Sequence, residues 1–87
     1  MKKEFKVFCA RYCGKCRALT RRFNALEGQL EGYIVTNIDV EKEPNTVDEY
    51  FLEGIPTLIY LEDDKEITRM VGSIYEEDIL ALVERKQ

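Results

Sequence analysis

Histidine and tryptophan are absent from this 87-residue chain, proline occurs only twice, and no apolar run approaches the length of a membrane span. Each absence excludes something. Without an imidazole there is no Ser-His or Cys-His nucleophile pair and no histidine ligand for zinc, so hydrolase readings largely fall away. A bilayer span needs about 18 or more apolar residues. The opening Met1-Lys2-Lys3-Glu4-Phe5-Lys6 is basic but has no apolar stretch of leader length behind it. The expected compartment is the cytoplasm, with no membrane partner. Three cysteines are too few, and an odd number, for a structural disulfide framework, so they point to chemistry instead.

What is present describes an ordinary folded domain. Apolar residues make up 45% and charged residues 34% of the chain, which excludes intrinsic disorder and collagen-like structure. A chain of this length buries about 60 to 65% of its unfolded surface and cannot support two cores, so residues 1 to 87 read as one domain, expected to be a monomer. The net charge of -4 argues against nucleic acid as a partner. Its distribution is polarised: residues 1 to 22 carry eight Lys/Arg against Glu4 alone, and sixteen of the 17 acidic residues follow.

The segment Phe5-Lys6-Val7-Phe8-Cys9 has the composition of a strand. Cys16, Leu19, Phe23, Leu26 and Leu30 then recur at steps of three and four, which predicts a helix ending near Gly28 or Gly32. Residues Tyr33 to Val40 read as a second strand, parallel to the first because a helix connects them. Pro44 suits the first turn of a short helix with Val47, Tyr50 and Phe51 as its buried face and Gly54 as its end. Thr57 to Leu61 and Ile67 to Val71 flank the polar Glu62-Asp63-Asp64-Lys65 and predict an antiparallel hairpin. A last helix starts at Ser73 or Tyr75 and runs nearly to the end, with Ile79, Leu82 and Val83 facing inward. The order βαβαββα gives an α/β fold with a four-stranded mixed sheet flanked by helices.

Between the first strand and its helix lies Cys13-Gly14-Lys15-Cys16, the sequence sign of a dithiol redox site. Cys13 falls at a helix N-terminus, where unpaired N–H groups and the macrodipole favour an anion, so its thiol is expected to ionise below the reference value of ~8.5. Cys16, one turn along on the apolar face, is expected to be buried, protonated at rest and able to attack a mixed disulfide formed at Cys13. A zinc site lacks ligands, since only Cys9 is left beside the pair. No metal and no other cofactor is expected.

With these residues in view the chain resembles the thioredoxin family, in particular its short thioredoxin/glutaredoxin-like members without the extra N-terminal strand and helix. The resemblance spans nearly the whole chain and rests on Cys13-Gly14-Lys15-Cys16, Asn37-Ile38-Asp39, Gly54-Ile55-Pro56-Thr57-Leu58 and Val71-Gly72. It implies a protein-disulfide oxidoreductase with Cys13 and Cys16 as catalytic residues. It also implies a cis Ile55-Pro56 bond and a substrate surface made of Tyr12, Ile55, Pro56 and Gly72. Gly72 reads as a point of close backbone approach to a partner. Implied partners are protein disulfides and an electron donor, either a reductase or glutathione. The chain departs from full-length thioredoxins where the family's buried carboxylate falls on Val7 and its accompanying lysine on Val35, so the usual proton relay is missing.

Gly14 and Lys15 are the expected redox-tuning positions. Lys15 stands where the family often has proline, and a unit charge about 6 Å away is worth ~0.7 kcal/mol in water and ~2.8 at an effective dielectric of 20, in favour of the Cys13 thiolate. That stabilises the reduced protein and predicts a potential above the ~-270 mV of thioredoxin. Arg17, Arg21 and Arg22 read either as a solvated helix face or as a steering field for an anionic partner. Cys9 reads as a small core residue, or as an auxiliary thiol that traps or tunes the pair. Tyr12 either shields the site or caps the strand end. Alternatives to the oxidoreductase are a glutathione-dependent glutaredoxin-like enzyme, a non-catalytic binding module using the Ile55/Gly72 groove, and a metal or cluster carrier.

Overall fold

The computed structural model describes residues 1–84. In chain order it contains strand β1 (Lys3–Cys9), helix α1 (Gly14–Ala25), a single 3-10 turn (Glu27–Gln29), β2 (Ile34–Asp39), α2 (Asn45–Glu49), β3 (Thr57–Glu62), β4 (Lys65–Val71) and α3 (Glu76–Val83). The sheet order is β2-β1-β3-β4. Strands β1 and β2 are parallel, and the β1/β3 and β3/β4 pairs are antiparallel. This is the βαβαββα arrangement and mixed sheet that the sequence predicts.

The period-2 alternation of the central strands makes two cores. Phe5 and Val7 of β1, with Leu58 and Tyr60 of β3, bury against Leu19 and Phe23 of α1 and Ile79 of α3. The alternate residues Phe8, Ile59 and Leu61 face the other way and pack with Tyr50 and Leu52 beside α2. Phe5 anchors the larger core, its ring 5.6, 5.5 and 5.1 Å from those of Phe23, Tyr33 and Tyr60. Burying a side chain of this size is worth roughly 1.5–3 kcal/mol. In the β3–β4 turn, Asp63 and Asp64 both have positive φ (51° and 68°), the conformation that matches strand twist in a two-residue hairpin. Asp63 also accepts the Lys2 backbone N–H at 2.9 Å, which ties the start of the chain to that turn.

One helix end differs from expectation, and one open alternative is decided. Helix α1 ends at Ala25 rather than near Gly28 or Gly32. The chain tightens into the 3-10 turn, which keeps Leu26 and Leu30 buried although neither lies in the helix. Helix α3 takes the Tyr75 start, where the Tyr75 backbone N–H donates to Asp78 Oδ2 at 2.8 Å and three acidic residues fill the first turn. The end of the expected last helix beyond residue 84 lies outside the described residues.

The larger difference is at α2. Only Thr46 is buried there, while Val47 and Phe51 are exposed and Tyr50 is half-buried. Gly54 does not end the helix. Instead, the Leu52 N–H donates to Val47 O at 2.9 Å and the Phe51 N–H to Asp48 O at 3.3 Å, with Phe51 at φ +54°. These are the two bonds of a Schellman motif, with phenylalanine in the left-handed position that usually belongs to glycine. The stop comes after barely more than one turn, so an i, i+3, i+4 face never forms. Left-handed backbone costs a non-glycine residue roughly 1–2 kcal/mol, and the Phe51 ring is 80% exposed, so burial does not offset it.

Two substitutions test this in urea denaturation. Phe51→Gly is expected to raise the unfolding free energy by about 0.5–1 kcal/mol, after allowing for the entropy of glycine. Leu19→Ala is expected to lower it by about 3 kcal/mol. A loss of stability in Phe51→Gly would mean that the ring makes stabilising contacts and the left-handed account is wrong.

Candidate dithiol active site

Strand β1 delivers the chain to the site, and α1 receives it. Cys13 is the N-cap of α1, with extended φ and ψ of -89° and 117°. Its N–H donates to Ala10 O and its carbonyl accepts the Arg17 N–H, both at 3.2 Å. Its Sγ accepts the Cys16 N–H at 3.2 Å. A side-chain acceptor is what a helix N-terminus demands, and here sulfur supplies it in place of the usual hydroxyl or carboxylate. No acidic residue lies in the first turn of α1 to compete as the anion.

The three thiols have different acidities. Burial pushes Cys13 up, but the Cys16 thiol, the Cys16 and Lys15 backbone N–H groups and the Arg17 guanidinium together outweigh it, and the net direction is down. Cys16 is 3% exposed; burial, and the interaction of its one thiol proton with Cys13 or Cys9, hold that thiol far above the ordinary range. Cys9 is also raised, by burial, although its hydrogen bond with Cys16 opposes this. The site therefore pairs a half-exposed thiol that ionises readily with a buried thiol that keeps its proton.

Both Lys15 and Arg17 assist Cys13, in different ways. Lys15 contributes through its backbone N–H, and the guanidinium that lowers the thiol is that of Arg17. Arg17 is fixed by donating to Arg11 O at 3.3 Å, and its Nη2 lies 3.8 Å from where a side chain at Gly14 would begin. Arg22 is not a solvated cation either. It donates to Ile74 O at 2.7 Å and stacks on the Tyr75 ring at 4.5 Å, which joins α1 to the segment before α3. Sequence reasoning grouped these arginines; their spacing from Cys13, four and nine residues along a helix, was the available signal.

Strand register brings the remaining site positions to the same end of the sheet. Phe8 pairs with Thr57 and Thr57 with Val71, so Cys9, Pro56 and Gly72 follow one step on. The Ile55-Pro56 bond is cis. The Gly72 N–H donates to Pro56 O at 3.0 Å, and the Thr57 hydroxyl to Gly54 O at 2.6 Å. Gly72 has φ +92°, and a Cβ there would meet nothing within 4 Å, so conformation rather than crowding within this chain demands the glycine. Pro56 is buried, Ile55 half-buried and Tyr12 72% exposed.

Sequence reasoning did not find the cavity of about 310 Å³ beside Cys16. It is lined by Cys9, Cys16, Arg11, Arg17, Asp39 and others. Below the site, Val7 is 1% exposed, and Val35 packs against the core, so apolar side chains fill the positions of the missing carboxylate and lysine. Among the described residues, no group of three or more His, Cys, Asp or Glu side chains is placed to hold a metal ion, and no helix is long and apolar enough to cross a membrane.

A mixed α/β sheet with a Cys-x-x-Cys pair opening its first helix defines a dithiol redox protein. The family model described as thioredoxin matches residues 3–85. Thioredoxin of Chlamydia trachomatis is 32% identical over 80 residues, which span 92% of this chain and 78% of the relative. A mutant thioredoxin from Halobacterium salinarum superposes with a TM-score of 0.86 at 28% identity, covering 95% of this chain and 73% of that one. A malarial protein at 18% identity shares the fold, with a TM-score of 0.88 and 97% and 96% covered. The chain belongs to the thioredoxin family, and with it to the protein-disulfide oxidoreductases.

Because the thiolate is the reactive form, lowering its pKa moves the plateau of alkylation rate to lower pH, and below the pKa the rate falls about tenfold per pH unit. Iodoacetamide labelling of the reduced protein at pH 7 is expected to modify Cys13 well before Cys16. Arg17→Gln is expected to move the Cys13 midpoint upward, and Lys15→Gln to leave it nearly unchanged. A larger shift in Lys15→Gln would return the tuning role to that side chain.

Proposed function

We propose that this protein reduces or exchanges protein disulfides through Cys13-Gly14-Lys15-Cys16. The Cys13 thiolate attacks one sulfur of a substrate disulfide, a mixed disulfide forms and the other substrate sulfur leaves as a thiolate. Cys16 then loses its proton and attacks Cys13 Sγ. This frees the second substrate thiol and leaves a Cys13–Cys16 disulfide. Two electrons from an external dithiol or thiol restore the pair. The observation that carries this reading is the Cys13 sulfur held at the N-terminus of α1 by the Cys16 N–H, with the Cys16 thiol buried one turn behind it.

Substrate lies across Tyr12, Ile55, Pro56 and Gly72, where the half-buried Ile55 backbone offers an edge to an extended peptide. Gly14 keeps the first turn open, since a side chain there would grow toward Arg17. The protein acts as a monomer in the cytoplasm, where a free dithiol survives. Its electron donor is a thioredoxin-reductase-type flavoprotein, and glutathione is the competing donor.

Insulin reduction with each donor in turn is the test. Activity is expected with the reductase, and Cys13→Ser is expected to abolish it. Cys16→Ser is expected to stall with substrate bound as a mixed disulfide, visible on a non-reducing gel. Activity with glutathione alone would establish the glutaredoxin-like reading, and substrate binding without turnover the docking-module reading. Equilibration in glutathione buffers is expected to give a potential less negative than ~-270 mV, because the reduced form is stabilised at Cys13. A more negative value would reject that tuning.

A further inference from the structure

The dithiol mechanism uses two sulfurs, but the structure aligns three. The Cys16 amide donates to Cys13 Sγ, and the Cys16 thiol shares a cavity wall with Cys9 and interacts with it. Cys9 closes β1 in a fixed position: its carbonyl accepts the Val40 N–H at 2.9 Å, and it stands opposite Asp39 in the parallel pair. It is not sealed in the core. Cys9 is half-exposed, and the 310 Å³ cavity is lined by both Cys9 and Cys16.

We propose that Cys9 is a third redox-active thiol, placed to replace Cys13 as the disulfide partner of Cys16. The inference rests on the dithiol reading of Cys13 and Cys16. In the oxidised protein, Cys9 as thiolate attacks Cys16 Sγ. The Cys9–Cys16 bond forms, the Cys13–Cys16 bond breaks and Cys13 leaves as a thiolate, while the proton of Cys9 passes to water in the cavity. The step neither consumes nor releases electrons.

The direction of attack follows from the cavity, whose lining includes Cys9 and Cys16 but not Cys13. Two opposing effects set how far the exchange goes. Burial keeps most of Cys9 protonated, which slows the attack. Cys13 is the most acidic of the three thiols and therefore the best leaving group, and once expelled it is stabilised by the amides of α1. The chain thus has two oxidised isomers. In one of them the reactive Cys13 is free while the protein still holds a disulfide.

Trypsin cuts after Lys6, Arg11, Lys15 and Arg17, so each cysteine falls in its own peptide and disulfide mapping assigns the links without ambiguity. Protein is incubated with glutathione disulfide, quenched in acid, alkylated and digested. In Cys13→Ser, or in Cys13→Ala if the serine variant does not fold by circular dichroism, a Cys9–Cys16 link is expected, with two glutathiones released per chain. In the wild type, Cys13–Cys16 is expected as the major link, accompanied by a minor species with Cys9 linked to Cys16 and Cys13 alkylated. Two free or glutathionylated thiols in the variant, or a wild type without the minor species, would overturn the proposal. The major wild-type link reports separately on the dithiol reading, so the two can fail independently.

Discussion

The site depends on one hydrogen bond, from the Cys16 amide to the Cys13 sulfur. It makes Cys13 the cap of α1, and a cap must sit at the boundary between extended and helical backbone. That requirement fixes both cysteines together. The residue three positions on lies one turn into the helix, and because α1 packs its Cys16-Leu19-Phe23 stripe on the sheet, that residue is buried. The different acidities of two chemically identical side chains follow from this placement: one accepts from the helix terminus, and the other is buried against the sheet.

The sheet supplies the rigidity that the cap needs. Strand β1 is central and pairs on both edges, and it ends directly before the active-site loop. Phe5 and Val7 root it in one core and Phe8 in the other. The same end of the sheet also carries Pro56 and Gly72, which are joined by their own main-chain bond. The cysteines, the cis proline and the left-handed glycine come from three separate segments, and strand register aligns them at one end of the sheet.

Most of this was legible in the sequence because its signals were periodic or local. The α1 stripe, the alternation of β1 and β3, the Asp63-Asp64 turn and the Cys-x-x-Cys spacing each depend on residues close in the chain. What failed depended on rare backbone geometry or on side-chain reach. The α2 face of Val47, Tyr50 and Phe51 has faultless helical spacing, and nothing in it signals that Phe51 would adopt a glycine conformation and end the helix. The Arg17 charge acts on Cys13 from outside the four-residue motif, because a residue four positions along a helix from the cap can reach back over it. The Cys9–Cys16 contact joins a strand end to a helix and is visible only once both are placed.

Val7 gives the dithiol an uncharged floor. With a buried valine at position 7 in place of a carboxylate, the route open to a hydrogen ion shed by Cys16 is the cavity that it shares with Cys9 and Asp39. A molecule lodged in that cavity would stand in its exit, so occupancy on the rear of the helix would slow resolution at the front even with the substrate surface untouched.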